Sequence, residues 1–343
     1  MNYFALVTRG LEEVACRDIQ QQFPDIRITA SGYRRILFTY EGNPADLLKL
    51  RSVDDVFYFL DSFLVSRRRE ALQTIEEKIG QCNFLPFIDS LKKVRSLHTP
   101  YSFSVSVSNV GEKNYTPSEI KNTITTLLHE TRQWEEKEDG SQGLHVRIFI
   151  EKEEALVGLR VGDAPLHRRD YKKTTLPGSL RPSIAYGMLL MANIAPHAVV
   201  LDPLCGVGTI ALEATYLTDT VLAGDLNPEA IQIAQASSVQ IHSAISFTVW
   251  DAKKLPIADA TVDAVVTNVP FGKQIPIDNM EAFFSSILAE WSRVLKSDGT
   301  IVLLTTHTDL LERCVEKCGL HITAMTEISL FGLTPSIITI KKK

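Results

Sequence analysis

The stretch Leu201-Asp202-Pro203-Leu204-Cys205-Gly206-Val207-Gly208-Thr209 decides the fold of this chain. The apolar run 198–201 before it is typical of a buried strand, and the run 210–214 after it is typical of a helix. A turn with two glycines therefore joins a strand to a helix, and the missing Cβ atoms let a ligand approach the backbone closely. This pattern predicts a parallel α/β sheet with a nucleotide-type ligand at its edge.

Carboxylates end the next two predicted strands. Asp225 lies about 20 residues after the glycines, at the spacing where a carboxylate accepts hydrogen bonds from both hydroxyls of a ribose. Asp251 closes the strand predicted for 245–250, where it can accept from an adenine amine while the Ala252 N–H faces a ring nitrogen. Because parallel strands end at one edge of the sheet, these groups are expected to surround one ligand.

Two kinds of cofactor fit the glycine turn. Gly206, Gly208 and Ala211 satisfy the fingerprint G-x-G-x-x-G/A, so a nicotinamide dinucleotide is the rival. Asp202, at the strand end, offers a carboxylate to an ammonium, directly or through the turn, and a dinucleotide has no ammonium. A later apolar run ends in the polar segment 268–271, which a dinucleotide leaves unexplained. S-adenosylmethionine accounts for all of these residues, and we predict it as the cofactor.

The segment Asn268-Val269-Pro270-Phe271 is the predicted reaction site. The amine of a nucleic-acid base is a poor nucleophile because its lone pair is delocalised into the ring. The side-chain carbonyl of Asn268 and the backbone carbonyl of Val269 can both accept hydrogen bonds from such an amine. Pro270 fixes the chain direction, and Phe271 can stack on a base that has left its helix. Methyl transfer here depends on positioning and electrostatics, and it needs no strong base.

Composition bounds the class of protein. The chain has 343 residues, enough for two or three domains, and a net charge of -5, which argues against a wholly basic nucleic-acid coat. Its five cysteines form no C-x-x-C pair, which favours reduced thiols in the cytoplasm, and no metal site is expected. The first residues lack the features of a signal peptide, and no apolar run approaches the ~18 residues of a membrane span.

Basic residues form local clusters that are candidates for contact with a phosphate backbone. One cluster opens the helix predicted to run to residue 79, and a solvated first turn is an equally open interpretation. The stretch 167–173 is the densest basic segment and contains an aromatic residue, although a plain solvated linker is the alternative. His307 is expected to be a surface histidine. The candidate phosphate contacts are Arg67, Arg68, Arg69, Arg168, Arg169, Lys172, Lys173 and Lys273.

The remaining pattern predicts a modular chain. Polar and apolar residues alternate strictly over 101–108, which predicts a strand with one packed face and one wet or partnered face. Thr116-Pro117-Ser118-Glu119 is a capping box that starts a helix. Beyond residue 197, strands alternate with helices, which predicts a mainly parallel sheet covered on both faces. The predicted segments are an N-terminal β-α-β-β unit (1–54), a small α/β layer (55–165), a basic linker (166–182) and the parallel α/β domain (183–343).

With these residues in hand, the chain resembles the THUMP-domain family of class I methyltransferases, which form N2-methylguanosine in RNA, chiefly tRNA. The resemblance covers essentially the whole chain. Residues 202–209 match the family's cofactor loop closely, and residues 268–271 fit its catalytic pattern of Asn or an acidic residue, any residue, Pro, then Phe or Tyr. The chain departs from the family at Val269, where Pro or Leu is commoner, and at Asp170, where Gly is common.

The resemblance implies a Rossmann-like C-terminal methyltransferase domain preceded by ferredoxin-like and THUMP α/β domains. The THUMP region would hold the acceptor end of tRNA, including its 3′ CCA, while the catalytic domain methylates a guanine in the acceptor-stem region. A cytoplasmic monomer that binds tRNA, with no membrane and no metal, is expected. Further cofactor contacts are implied at Arg181, Ser183, Cys205, Thr209 and Leu226.

Other functions stay open at this stage. Asn268 serves any exocyclic amine, so the residues alone leave an rRNA guanine-N2 or an adenine-N6 methyltransferase as alternatives. A different class of protein, an RNA-binding adaptor with a catalytically silent cofactor pocket, is disfavoured by the intact glycines and the intact segment 268–271. Transfer of a labelled methyl group to total tRNA separates the enzyme from the adaptor.

Overall fold

The computed structural model of the chain describes residues 1–137, 143–241, 245–272, 277–330 and 332–342. The chain divides into two compact units. The first unit comprises Met1–Val7 and Ile19–Leu166, and the second comprises Thr8–Asp18 and His167–Lys343.

Up to residue 166, helices alternate irregularly with strands of one sheet. The elements are β1 (Asn2–Leu6), α1 (Glu12–Gln22), β2 (Arg27–Gly32), β3 (Arg35–Thr39), β4 (Asp55–Leu64), α2 (Ala71–Gln81), α3 (Leu85–Leu91), β5 (Ser102–Val110), α4 (Pro117–Arg132), β6 (Glu135–Glu136), β7 (Leu144–Glu151) and β8 (Glu154–Arg160). The strand order is β2-β3-β1-β4-β8-β7-β5-β6 over the described residues. Since β1 pairs with β4, the strands of segments 1–54 and 55–165 share this sheet.

Strand β5 shows why the alternating sequence forms a two-faced strand. Phe103 and Val105 are buried on the face that packs against α4. On the opposite face, the hydroxyls of Ser104 and Ser106 lie 2.8 and 2.7 Å from the two ring nitrogens of His145 on β7. Burial and nearby guanidinium groups lower the pKa of His145 to about 3, so the imidazole is neutral. The second face is therefore partnered, one of the two outcomes expected from the sequence.

The helix predicted after residue 116 begins with the expected cap. The Thr116 side chain accepts a hydrogen bond from the Glu119 N–H at 3.2 Å, and the Glu119 carboxylate accepts from the Thr116 N–H at 2.8 Å. Pro117 occupies the first helical position, where its missing N–H costs nothing. Local sequence chemistry thus fixes the start of α4.

The second unit contains a seven-stranded sheet among the described residues. Its elements are α5 (Pro182–Met191), β9 (Val199–Asp202), α6 (Thr209–Ala214), β10 (Thr220–Asp225), α7 (Pro228–Val239), β11 (Ile245–Val249), β12 (Val262–Asn268), α8 (Met280–Val294), β13 (Leu295–Thr305), α9 (Thr308–Lys317), β14 (Leu320–Glu327) and β15 (Ser336–Lys342). The order is β11-β10-β9-β12-β13-β15-β14. The first five strands are parallel, and β15 and β14 close the sheet in antiparallel fashion.

This topology confirms the mainly parallel α/β fold and creates one special edge. The chain runs outward from β9 to β11 and then returns to place β12 on the other side of β9. Ligands of such sheets bind beyond the carboxyl ends of the strands at this reversal. The core beneath it is apolar, and its largest side chains include Trp291 and Phe284 on α8. Across the described residues, no helix is both long and apolar enough to cross a bilayer.

Candidate functional site

The glycine turn between β9 and α6 lies at the edge where the strand order reverses. Gly206 and Gly208 have φ angles of +51° and +80°, the left-handed region that side chains disfavour. A Cβ on Gly206 would meet no atom within 4 Å, so open space faces this residue. A Cβ on Gly208 would lie 3.0 Å from the Ala234 Cβ on α7. One glycine therefore leaves room for a ligand, and the other allows close helix packing.

Asp202 is fully enclosed at the end of β9. Its carboxylate accepts a hydrogen bond from the Thr267 hydroxyl at 2.7 Å and another from the Leu204 N–H. Burial raises the pKa of this carboxyl to about 7, even though both hydrogen bonds lower it. Because this carboxylate faces the interior, direct contact with an ammonium is disfavoured. The arrangement favours an indirect influence on the ammonium, through the turn.

Asp225 connects the glycine turn to the end of β10. Its two oxygens accept from the Gly206 N–H at 2.8 Å and the Asn227 N–H at 2.9 Å. A carboxylate has about four lone-pair sites, so both oxygens can still accept from hydroxyl groups. The adjacent Leu226 is 70% exposed, which leaves an apolar side chain beside this carboxylate. The pair combines an acceptor with an apolar contact, as a nucleoside requires.

The end of β11 lies against the same turn through Trp250. A Cβ on Gly224 would clash with the Trp250 ring, whose Nε1–H donates to the Pro203 carbonyl at 3.1 Å. Asp251 follows and accepts from the Lys253 N–H at 3.0 Å, and Ala252 beside it is buried. The structure thus brings together the ends of β9, β10 and β11. Trp250 was missed by the sequence reasoning, although it directly precedes Asp251.

Asn268 ends β12, the neighbour of β9 on the other side. Its Nδ2–H donates to the Gly178 carbonyl at 3.1 Å, while its Oδ1 is buried without a hydrogen-bond partner among the described residues. The preceding residue, Thr267, is the one bonded to Asp202, so Asn268 stands next to the turn. Buried acceptors without partners cost about 1–3 kcal/mol and often mark functional positions. The Oδ1 atom is thus available as an acceptor, and its role toward a base amine stays a prediction.

Two contacts fix the chain after Asn268. The Val269 N–H donates to the Leu304 carbonyl at 3.1 Å, and the His307 Nε2 lies 3.2 Å from the Phe271 carbonyl. His307 is half-buried at the start of α9, with its ring against Phe284, rather than a free surface residue. The sequence reasoning missed this contact because the two partners are 36 positions apart.

Two basic residues of the linker lie inside the second unit. Glu213 on α6 is fully buried and accepts from the Arg169 Nε–H at 3.0 Å and from the Tyr171 hydroxyl. Lys172 donates to the Thr209 hydroxyl oxygen at 2.9 Å and to the Leu180 carbonyl. The Arg169 side chain is only 9% exposed. This environment disfavours contact of Arg169 and Lys172 with a phosphate backbone.

Comparison with known proteins agrees with this geometry. Residues 169–332 match the family model described as "RMKL-like, methyltransferase domain". A tRNA (guanine(6)-N2)-methyltransferase of Thermus thermophilus is 31% identical over 249 residues, which cover 70% of this chain and 72% of the relative.

The chain belongs to the THUMP-containing tRNA guanine-N2 methyltransferase family. The crystal structure of TrmN from Thermus thermophilus matches this methyltransferase with a TM-score of 0.80 at 25% identity, over 100% of this chain and 99% of that one. The human tRNA (guanine(6)-N(2))-methyltransferase THUMP3 is 31% identical over 60% of this chain, and the chain spans only 44% of that relative's length. The predicted family and the class I fold are confirmed.

S-adenosylmethionine is the cofactor of this methyltransferase. The residues present fit that group on three counts, independently of the comparison. Gly206 faces open space, Asp225 keeps acceptor capacity beside the exposed Leu226, and Asn268 offers a free oxygen next to the turn. The site therefore offers space for an adenosyl group, an acceptor for the hydroxyls of a ribose and an acceptor at the adjacent reaction point.

The other residues predicted to contact the cofactor lie around this turn, and they differ in burial and in contacts. Cys205 is buried, and burial raises the pKa of its thiol well above the ordinary value, so the thiol is neutral. Arg181 and Ser183 lie at the start of α5, which packs against α6. Arg181 is partly exposed and Ser183 is buried. Thr209 faces Lys172. The roles of these four residues stay predictions.

The exposed basic candidates lie in two places. Arg67, Arg68 and Arg69 are all exposed on the loop before α2. Two of them form surface ion pairs, Arg67 with Glu153 at 3.5 Å and Arg69 with Glu119. In the second unit, Arg168 and Lys173 are exposed. Lys273 lies outside the described residues. Within the described residues, no group of three or more metal-ligating side chains occurs.

Proposed function

We propose that this methyltransferase transfers a methyl group to the exocyclic N2 amine of a guanosine in the acceptor-stem region of tRNA. The observation that carries the proposal is the buried, unpartnered Oδ1 of Asn268 beside the glycine turn. The names of the relatives from Thermus thermophilus and human support guanine N2 and tRNA as the substrate. The substrate and the residue roles below are inferred from these two supports.

The chain's residues would hold the cofactor along the edge of the sheet. Gly206 and Gly208 leave room at the turn, and Asp225 accepts from the ribose hydroxyls. Asp251 and the Ala252 N–H meet the adenine, while Asp202 acts on the ammonium through the turn. Once bound, the cofactor supplies an electrophilic methyl group on a sulfonium.

Asn268 then orients the nucleophile. Its Oδ1 accepts a hydrogen bond from the base amine, and the Val269 carbonyl supplies a second acceptor for the same group. Phe271, which is partly exposed, stacks on the extruded base. These contacts hold the amine nitrogen toward the cofactor, so the acceleration of methyl transfer comes from positioning and electrostatics. The methylated nitrogen is acidic, and water accepts its proton.

Exposed basic residues would bind the phosphate backbone of the RNA. Arg67, Arg68 and Arg69 present three guanidinium groups in the first unit, and the surface ion pairs of two of them are worth at most about 1 kcal/mol. A phosphate can therefore replace those carboxylates at low cost. Arg168 and Lys173 serve the same purpose in the second unit.

A cytoplasmic monomer completes the proposal. All five cysteines are free thiols, which is the state that a reducing compartment maintains. Light scattering coupled to gel filtration checks the oligomeric state, and a dimer at micromolar concentration contradicts this part of the proposal.

The variant Asn268→Ala tests the reaction site. We expect affinity for S-adenosylhomocysteine to change less than about threefold and turnover on tRNA to fall by at least ~100-fold, the scale of a lost transition-state hydrogen bond. Binding is measured by calorimetry, and N2-methylguanosine is located by mass spectrometry of RNA treated in vitro. Asn122→Ala, at an exposed position of α4, is the matched control and retains full turnover. Unchanged turnover in Asn268→Ala removes the assigned role, and product at an adenine contradicts the substrate.

A further inference from the structure

The second unit contains an ammonium group beside the glycine turn that forms no ion pair with any described residue. Lys172 is half-buried, and its Nζ donates to two neutral acceptors, the Thr209 hydroxyl oxygen at 2.9 Å and the Leu180 carbonyl. No carboxylate of the described residues forms an ion pair with it within 4 Å. A charge that is withdrawn from water and left unpaired is unfavourable.

The carboxylate that acts on Lys172 is engaged by other groups. Glu213, on α6, is the anion that raises the pKa of Lys172, but its Oε1 already accepts from Arg169 and Tyr171. Burial outweighs this attraction and lowers the pKa of Lys172 to about 8. The surroundings of Lys172 therefore provide hydrogen bonds but compensate its positive charge only in part.

The order of the strand ends indicates which part of the cofactor lies nearest to Lys172. Asp251, Asp225 and Asp202 end β11, β10 and β9, which are consecutive in the sheet. The adenine, the ribose and the amino-acid part of the cofactor would follow the same order. The amino-acid part then lies over β9, at the turn that ends in Thr209, the residue that Lys172 contacts.

We propose that Lys172 forms an ion pair with the carboxylate of the amino-acid part of S-adenosylmethionine. This inference rests on the proposed function, since it uses the proposed placement of the cofactor. The adenine, the ribose and the ammonium of the cofactor have proposed partners. Its carboxylate has no assigned partner, since the predicted contact at Arg181 is not tied to any one group of the cofactor. Among the described residues Lys172 forms no ion pair, and it lies next to the required position. A charge-assisted hydrogen bond of this kind is among the strong ones.

Two other roles for Lys172 make different predictions. If Lys172 only clamped Thr209 to Leu180, its removal would weaken every ligand of the turn equally, whether or not the ligand has a carboxylate. If Lys172 bound RNA, its removal would leave cofactor affinity unchanged. A ligand pair that differs only in the carboxylate therefore distinguishes all three roles.

The test is calorimetric titration of S-adenosylmethionine and of decarboxylated S-adenosylmethionine into the full chain and its Lys172→Met variant. We expect the variant to lose about 10- to 100-fold in affinity for S-adenosylmethionine, the range of a hydrogen bond to a charged group. Affinity for the decarboxylated ligand should change less than about threefold. Lys172→Arg should retain most of the affinity, and Lys317→Met, at an exposed position of α9, is the control.

Equal losses for both ligands, or no loss for either, overturn the inference. If Lys172→Met fails to fold by circular dichroism, the unaltered protein still gives an answer. It must bind S-adenosylmethionine more tightly than the decarboxylated ligand, and equal affinities contradict the ion pair. If the unaltered protein binds neither ligand, the proposed function fails, which is a separate outcome.

Discussion

A single residue at the cofactor turn, Asp202, makes the stability of the fold depend on pH. Burial raises the pKa of its carboxyl from the ordinary 3.8 to about 7, and the nearby Asp225 raises it further. The folded chain therefore holds this proton more tightly than the unfolded chain between about pH 4 and pH 7. Stability declines with rising pH wherever the native state binds more protons. Asp202 thus lowers the stability of the fold progressively as the pH rises through this window.

The variant Asp202→Asn should remove this dependence because the amide does not titrate. Between pH 5 and pH 8, we expect the stability of the variant relative to the unaltered protein to rise by more than about 1.4 kcal/mol, the equivalent of one pKa unit. Urea unfolding at the two pH values measures the difference. Asp298→Asn, at an exposed position, is the control and should show no such gain. Identical pH slopes for Asp202→Asn and the unaltered protein contradict the account.

At the scale of elements, the linker before α5 is part of the interior of the second unit. Arg169 and Tyr171 both meet the buried carboxylate of Glu213, which anchors the linker to α6. Further along, the turn 176–179 places the Gly178 carbonyl on Asn268. The linker therefore joins the helix after the cofactor turn to the end of β12, and its stability affects both.

Arg169→Ala should destabilise the protein, since it removes one partner of the buried ion pair with Glu213. Removal of one partner of a buried ion pair costs about 3–5 kcal/mol. Arg168→Ala, the exposed neighbour, should stay within about 0.5 kcal/mol. Chemical denaturation measures both. A stable Arg169→Ala variant with weakened tRNA binding would instead support the phosphate contact that the sequence suggested.

At the scale of the whole molecule, an acidic protein must bind a polyanion through local groups. The net charge is -5, but exposed guanidinium groups cluster at residues 67–69. Each phosphate that they neutralise releases counterions, which makes binding depend on salt. The number of phosphate contacts can therefore be read from the salt dependence, independently of the net charge.

Arg68→Gln should weaken tRNA binding and reduce the slope of log affinity against log salt by about 0.7 to 0.9, the value for one phosphate contact. Filter binding at salt concentrations from about 50 to 200 mM gives the slope. Lys92→Gln removes one partly exposed charge at a site outside the predicted contacts and is the control. An unchanged slope for Arg68→Gln excludes this residue from the interface.

How much of the fold and of the candidate site can be predicted depends on the sequence separation between the residues that contact each other. The glycine turn and the strand ends follow from local patterns, because parallel strands finish at one edge of the sheet. The proximity of Asn268 to Asp202 followed from that rule. By contrast, the burial of Arg169 depends on Glu213, 44 positions away, and no local pattern reveals such a partner. The pairing of β1 with β4, which gives residues 1–54 and 55–165 a common sheet, is equally non-local.

The Gly178 carbonyl also fixes which end of the Asn268 amide is engaged. By accepting from Nδ2, it leaves the oxygen of the Asn268 amide as the atom with no hydrogen-bond partner in the described part of the chain. The reversed amide would present two N–H groups and select bases by an oxygen or a ring nitrogen. If Asn268 meets the target base as proposed, this one backbone carbonyl, 90 positions upstream, decides whether the site favours hydrogen-donating or hydrogen-accepting edges of the base.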